Sequence, residues 1–287
     1  MNGDAKGAEK WDLVIRPRSG LLELHLGDLW RYRDLVAMLV RRDFVAQFKQ
    51  TVLGPAWFVI QPLLTTLVFV VVFGNIAQLS TDGLPRMLFY LSGNVVWMYF
   101  AAVLSSAANT FVGNAHLFGK VYFPRLAVPL AVAISTLIRF GLQFLFFLAF
   151  WVFFALRGAD IRMTPAALLF PLLVLVMAAL SLGLGIVFSS LTTKYRDLRF
   201  LLDFGVRLLM YATPVIFPLS SITGGRWRLV LLANPMTPVI EAFRLGFLGQ
   251  GMLHWGWLAY SAAFALVALL AGVVIFNRVE RTFMDTV

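Results

Sequence analysis

Charge is scarce in this sequence: 13% of its 287 residues are Asp, Glu, Lys or Arg, about half the share of an ordinary soluble domain. With 60% of the residues hydrophobic, too little polar surface remains to face water, which excludes a soluble globular protein. Cysteine is absent, and with it go disulfide frameworks, thiolate metal sites and thiol nucleophiles. The histidines are His25, His116 and His254, scattered on different segments without metal-ligand spacing. A phosphate-binding loop is also missing. The nearest match, Gly113 to Lys120, has one residue too many between its glycines, and Val121 stands where Ser or Thr would hold magnesium. Any ATP must therefore be hydrolysed by another chain, and this chain itself is expected to need no cofactor. The net charge of +10 is dispersed over termini and short loops, unlike the single basic stripe of a nucleic-acid binder.

Long apolar runs are plentiful. A hydrocarbon layer about 30 Å thick needs roughly 20 apolar residues of helix, and six segments qualify: 53–76, 87–112, 126–156, 165–190, 200–219 and 255–276. An even number puts both termini on one side, with the loops at 113–125 and 191–199. That side carries 16 Lys and Arg against 6 on the other, so the positive-inside rule makes the termini cytoplasmic. The polar N-terminal tail over 1–27 contains no apolar run resembling a cleavable signal.

Before the first span, Leu29, Val36, Val40, Phe44 and Phe48 share one face while Arg31, Asp34, Arg41, Arg42 and Lys49 share the other. This pattern predicts an amphipathic helix over 28–52 lying in the membrane interface, capped by Asp28 and stopped by Gly54-Pro55. Between 220 and 254 two short apolar pieces flank Asn234-Pro235, each too short to cross. They predict a re-entrant pair over 226–249, with Glu241 and Arg244 three apart and able to neutralise each other. A partly ordered surface loop is the alternative. The expected fold is thus an all-α polytopic membrane protein: six transmembrane helices, an N-terminal interface helix, and a re-entrant pair before the last span.

Inside the spans the ionisable residues are Arg139, Asp203 and Arg207. Asp203 and Arg207, four apart, read as an internal ion pair. Arg139 has no such partner and must face a protein neighbour, a wet path or an anionic substrate. Phe140, Phe144, Phe147, Trp151 and Phe154 recur every three or four residues, forming an aromatic strip for helix packing, lipid contact or sliding sugar rings. In the second span Tyr90, Trp97, Tyr99 and Phe100 alternate with Ser92 and Asn94, a mixture that suits a wet pathway. With Phe69 and Phe73 of the first span, Asn94 and Arg139, they form the candidate substrate path.

Several stretches carry a family likeness. Arg41-Arg42-Asp43, Phe48 to Pro55, Trp57 and Gln61-Pro62-Leu63 resemble the opening of ABC-2 type permeases that export polysaccharides, among them the Wzm-type O-antigen, capsule and teichoic-acid exporters. Lys120 to Arg125, Tyr195 to Leu198, Thr213 to Ile216 and Asn234 to Thr237 are similar to the same family in the same order, so the likeness runs from about 40 to 285 and makes 53–287 its transmembrane domain. The resemblance implies a homodimer in the bacterial inner membrane. It would bind two copies of an ATP-hydrolysing subunit, which holds ATP and magnesium, and would move an undecaprenyl-linked glycan outward. It further implies that Arg41, Arg42, Asp43, His116, Phe118, Lys120, Tyr122 and Phe123 meet the ATPase. Asn234, Pro235, Glu241 and Arg244 would belong to an outer gate. Arg207 departs from the family, where a neutral polar residue is commoner. Two other functions stay open: export of a small amphiphile or drug, and a membrane-embedded transferase on a lipid carrier, against which the shortage of intramembrane carboxylates and histidines argues.

Overall fold

A computed structural model describes residues 26–47, 49–114, 123–195, 197–222 and 224–283, and every regular element among them is helical. Helices α1 (Leu26–Arg31) and α2 (Arg33–Ala46) lead to α3 (Trp57–Phe69), which is preceded by a 3₁₀ turn at Gly54–Ala56 and runs on as a π-helix over Val70–Ile76. Then come α4 (Arg86–Ala108), the single turn α5 (Thr110–Gly113), α6 (Ala127–Leu156) and, after a 3₁₀ turn at Pro165–Leu169, α7 (Phe170–Lys194). The chain ends with α8 (Leu198–Tyr211), α9 (Gly225–Ala233), α10 (Met236–Leu248) and α11 (Trp255–Phe283).

Among the described residues, five helical stretches are long and apolar enough to cross a membrane: Gly54–Ile76, Arg86–Ala108, Ala127–Leu156, Pro165–Thr192 and Trp255–Val279. They match five of the six expected spans within a few residues. The sixth does not form as one helix. Segment 200–219 is instead α8, whose 14 residues reach about 21 Å, followed by turns over 212–218. Pro214 lacks an N–H and disfavours helix at Thr213, which accounts for the break.

The N-terminal amphipathic segment also differs from the single helix expected. It breaks at Tyr32 and ends at Ala46, and Asp28 falls inside α1, not at its cap. Of its apolar face, Val36 is buried and Val40 and Phe44 half-buried, whereas the side chains of Leu29 and Phe48 lie outside the described residues. Val36 and Leu39 pack with Phe111, Phe123, Ala127, Val128 and Phe276. This small cluster ties α2 to the starts of α5 and α6 and to α11, with Phe111 and Phe276 stacked at 4.4 Å. Gly54 supplies φ +50 where the chain turns into α3, a conformation open to glycine at little cost.

Helix α4 is the axis. In its most apolar stretch 78% of the residues are buried, against 17% for the stretches of Gly54–Ile76 and Ala127–Leu156, so the latter two turn apolar faces outward. Small residues set the closest crossings, since a missing Cβ lets backbones touch. A Cβ on Gly183 of α7 would strike the Leu269 nitrogen and Ala268 carbonyl carbon of α11, and one on Gly272 would stand 2.7 Å from the Gly183 oxygen. On the other side of α7, a Cβ on Gly185 would lie 2.6 Å from the Ala107 Cβ of α4.

The aromatic strip of α6 packs within the chain. Phe144 stacks on Phe170 at 4.4 Å, Phe147 meets Phe243 at 5.4 Å, and Phe243 and Phe247 of α10 lie 4.8 Å apart. Trp151 Nε1 donates to the Phe247 carbonyl at 2.6 Å. Thr164 donates from its N–H to Gly246 and from its hydroxyl to Leu245, each at 2.9 Å. The last carbonyls of α10, orphaned where the helix stops, are therefore satisfied by the Trp151 side chain of α6 and by the backbone N–H and hydroxyl of Thr164 in the segment after it.

Candidate functional site

Three groups of predicted residues occupy three places. At the end of the bundle where α4 begins, the unwound backbone after α8 meets α10. Arg244 is 1% exposed and Glu241 3%. The Arg244 guanidinium donates to the carbonyls of Pro214 and, at 2.8 Å, Val215. It also reaches the Phe89 carbonyl at 3.4 Å and the Ser92 hydroxyl at 3.3 Å, and lies 3.8 Å from the centre of the Phe89 ring. Glu241 Oε1 stands 3.6 Å from Arg244 Nη1, and Oε2 accepts the Met252 N–H at 3.2 Å.

The expected mutual neutralisation of Glu241 and Arg244 is thus present. The guanidinium does more, because it replaces the helical N–H groups that the broken segment lacks. Buried backbone in an apolar setting needs every carbonyl satisfied, and Arg supplies a planar fork of donors. Gly93 allows the close approach, for a Cβ there would stand 2.8 Å from Arg244 Nη2 and 3.1 Å from the Val215 Cα. Asn234 Nδ2 donates to the Thr213 hydroxyl at 2.8 Å, its Oδ1 accepts the Met236 N–H at 3.0 Å, and Pro235 stands at the start of α10. Of the four residues expected at the outer gate, Arg244 and Asn234 hold the unwound segment, Glu241 stands beside the guanidinium, and Pro235 precedes α10. Ser92, Gly93 and Thr213 were not singled out as its partners, since they lie far from Arg244 in sequence.

The expected substrate-path residues are mostly interior to the chain. Phe69, Tyr90, Asn94, Trp97, Tyr99 and Phe100 are each at most 5% exposed. Phe73 and Arg139 are half-buried. Phe69 packs against Phe73 at 5.7 Å and Tyr90 at 6.2 Å, and Trp97 against Phe100 at 5.2 Å. Asn94 Nδ2 bridges to the Pro62 carbonyl and the Thr66 hydroxyl, both at 3.2 Å, which fastens α4 to α3. Proline in a helix leaves the carbonyl four residues earlier without its donor. For Pro62 that is Phe58, whose carbonyl accepts Gln143 Nε2 from α6 at 3.2 Å. Gln143 was overlooked in the sequence, although an amide in an otherwise apolar span facing a proline-bearing neighbour is the signal for such a bond.

Arg139 borders a cavity of about 350 Å³ among α2, α3, α4 and α6, together with Gln47, Trp57, Gln61, Tyr99 and Gln143. Its Nη2 donates to the Thr136 hydroxyl at 2.9 Å, and its guanidinium carbon lies 5.7 Å from the centre of the Phe58 ring. The Asp203–Arg207 pair is not formed. Among the described residues neither enters an ion pair within 4.0 Å, and Arg207 is exposed. The helical spacing is outweighed by the freedom of an exposed Arg side chain to stay hydrated, for such pairs gain little.

Of the residues expected to meet an ATPase, Arg41 is exposed, and Arg42 bonds Asp43 Oδ1 at 2.9 and 2.8 Å. Phe123 is buried in the cluster around Phe111. His116, Phe118, Lys120 and Tyr122 lie outside the described residues.

Comparison with known proteins points the same way along nearly the whole chain. The profile of the ABC-2 type transporter family matches residues 34–248. The O-antigen export system permease protein RfbA of Myxococcus xanthus is 27% identical over 263 residues, covering 91% of this chain and 98% of that protein. Its namesake in Klebsiella pneumoniae is 24% identical over 268 residues, 92% and 98% of the two chains. The polysialic acid transport protein KpsM of Escherichia coli is 25% identical over 261 residues, 88% and 95%.

Proposed function

Since this chain belongs to the ABC-2 type transporter family, we propose that it is the permease subunit of an ATP-driven exporter that carries a lipid-linked polysaccharide across the bacterial cytoplasmic membrane. The observation that carries this reading is the end-to-end similarity to O-antigen and polysialic acid export proteins. ATP and magnesium belong to a partner chain, two copies of which would serve a homodimer of this one. Arg41, Arg42, Asp43 and the loop with His116, Phe118, Lys120 and Tyr122 are the proposed docking surface, and the buried Phe123 packs in one cluster with Val36 of α2 beside it.

Six crossings, with both termini in the cytoplasm, fit the path of the chain. Helix α7 ends beside α4's last residues, where Thr192 bonds the Ala108 carbonyl at 3.1 Å. By Val215 the backbone has reached Phe89 and Ser92, the opposite end of α4. Segment 198–215 therefore travels the same length as a continuous span would, as a broken crossing stabilised by Arg244. Irregular backbone at membrane depth is tolerated where it is buried and satisfied. Helices α9 and α10, each shorter than a crossing needs, would form the re-entrant outer gate. The sugar path is assigned to Phe69, Phe73, Tyr90, Asn94, Trp97, Tyr99 and Phe100. Because most of these are covered, the assignment requires α3 to move off α4, breaking the Asn94 bonds to Pro62 and Thr66.

Deleting the gene in its host tests the function. Loss of surface polysaccharide, with the lipid-linked glycan accumulating inside the cell, is the expected result. Normal surface polysaccharide with loss of a small-molecule export phenotype would overturn it in favour of an amphiphile exporter.

A further inference from the structure

A cation and three amides border one small cavity. Arg139 meets the Thr136 hydroxyl and the face of Phe58, and among the described residues no carboxylate oxygen lies within 4.0 Å of it. Asp43, the nearby acid on α2, is held by Arg42 at 2.8 Å. Gln47, Gln61 and Gln143 add amide groups to the wall. Gln61 is exposed to the cavity and its amide makes no hydrogen bond among the described residues, so the wall offers a polar donor beside the cation.

The setting adds a second observation. Phe58 lies four residues past Gly54, roughly 6 to 8 Å along the axis of the first span. Next to the cavity, an apolar groove of about 780 Å³ runs between α2 and α6, walled by Val36, Val40, Phe44, Ile134 and Ile138, with Arg33 and Arg41 also bordering it. Phe44 on the groove and Phe58 on the cavity touch at 6.1 Å between ring centres, so the two spaces adjoin. The cavity has room for about a dozen water-sized groups, enough for a diphosphate and part of a first sugar ring.

We infer that the Arg139 cavity binds the phosphate-bearing headgroup of the transported lipid-linked glycan, a polyprenyl diphosphate, while its hydrocarbon tail enters along the groove between α2 and α6. The inference rests on the export reading above. Arg139 gives the charge-assisted donors that phosphate oxygens accept, the amides of Gln47 and Gln61 give neutral donors, and the groove excludes water from the tail. The bordering arginines favour an anionic amphiphile over a neutral one.

The test uses the full chain purified in detergent, with native mass spectrometry of bound undecaprenyl diphosphate and, separately, dioleoyl phosphatidylglycerol. Wild-type protein is expected to prefer the diphosphate. Arg139→Gln should weaken it by about tenfold or more, the effect of losing a charge-assisted bond, with Arg139→Lys intermediate. Gln61→Met, which keeps the side-chain length and removes only the amide, should weaken it severalfold and guards against a folding defect at Arg139. Phosphatidylglycerol should be unaffected by all three. Unchanged diphosphate binding in Arg139→Gln and Gln61→Met overturns the inference. So does phosphatidylglycerol that competes equally and falls in parallel, because the cavity is then an ordinary phospholipid site. The measurement needs neither ATPase nor export, so a chain that exports normally in cells yet fails here rejects the site and leaves the function standing.

Discussion

Replacing Arg244 by methionine keeps most of the side-chain volume and removes every donor that holds the unwound segment. The Pro214 and Val215 carbonyls lose their partner, and Glu241, 3% exposed, is left without the cation 3.6 Å away. Hydrogen bonds between membrane helices average about 0.6 kcal/mol, so the four contacts alone amount to little more than 2 kcal/mol. The stranded carboxylate decides the magnitude, since removing one member of a buried ion pair costs about 3–5 kcal/mol. At roughly 2–4 °C per kcal/mol for chains of this size, Arg244→Met should melt about 6–20 °C below wild type in a detergent thermal-unfolding assay. Adding Glu241→Gln removes the stranded charge, so the double variant should recover part of that loss. An Arg244→Met protein melting within about 2 °C of wild type, or a double variant less stable than the single, would refute the reasoning.

Gly183→Val should abolish stable assembly of α7 on α11, because its first side-chain carbon already collides with Ala268 and Leu269 backbone; protein yield in the membrane checks this, whereas the same change at Gly205, with open space around it, should be tolerated. Gln143→Leu strands the Phe58 carbonyl and should cost about 1–3 kcal/mol, while Pro62→Ala restores that carbonyl's own helical N–H. A double-mutant thermal cycle should therefore find Gln143→Leu cheaper in the Pro62→Ala background than in wild type.

Hydropathy located five long helices to within a few residues because apolar length is a local property. It overcounted regularity at 200–219, where the apolar content is right but Pro214 interrupts the hydrogen-bond ladder and an arginine some thirty positions later completes it. The Glu241–Arg244 pair was legible from helical spacing; the wider set of Arg244 acceptors was not, since Phe89 and Ser92 are brought there by tertiary packing. Periodicity likewise marked the aromatic face of α6 without naming its neighbour. Phe170, Phe243 and Phe247 cover it, so that face serves the core. Arg139 stood out as a charge in an apolar run, but its cavity needed Trp57, Gln61 and Tyr99 from two other helices.

Transport itself is the most direct measurement. Inside-out membrane vesicles containing this chain and its ATPase, loaded on the outer face with radiolabelled lipid-linked polysaccharide, should move the glycan into the lumen, where an added glycosidase cannot reach it. The account predicts protection that requires ATP, the ATPase and this chain together. Glycan that stays fully digestible with all three present would contradict it.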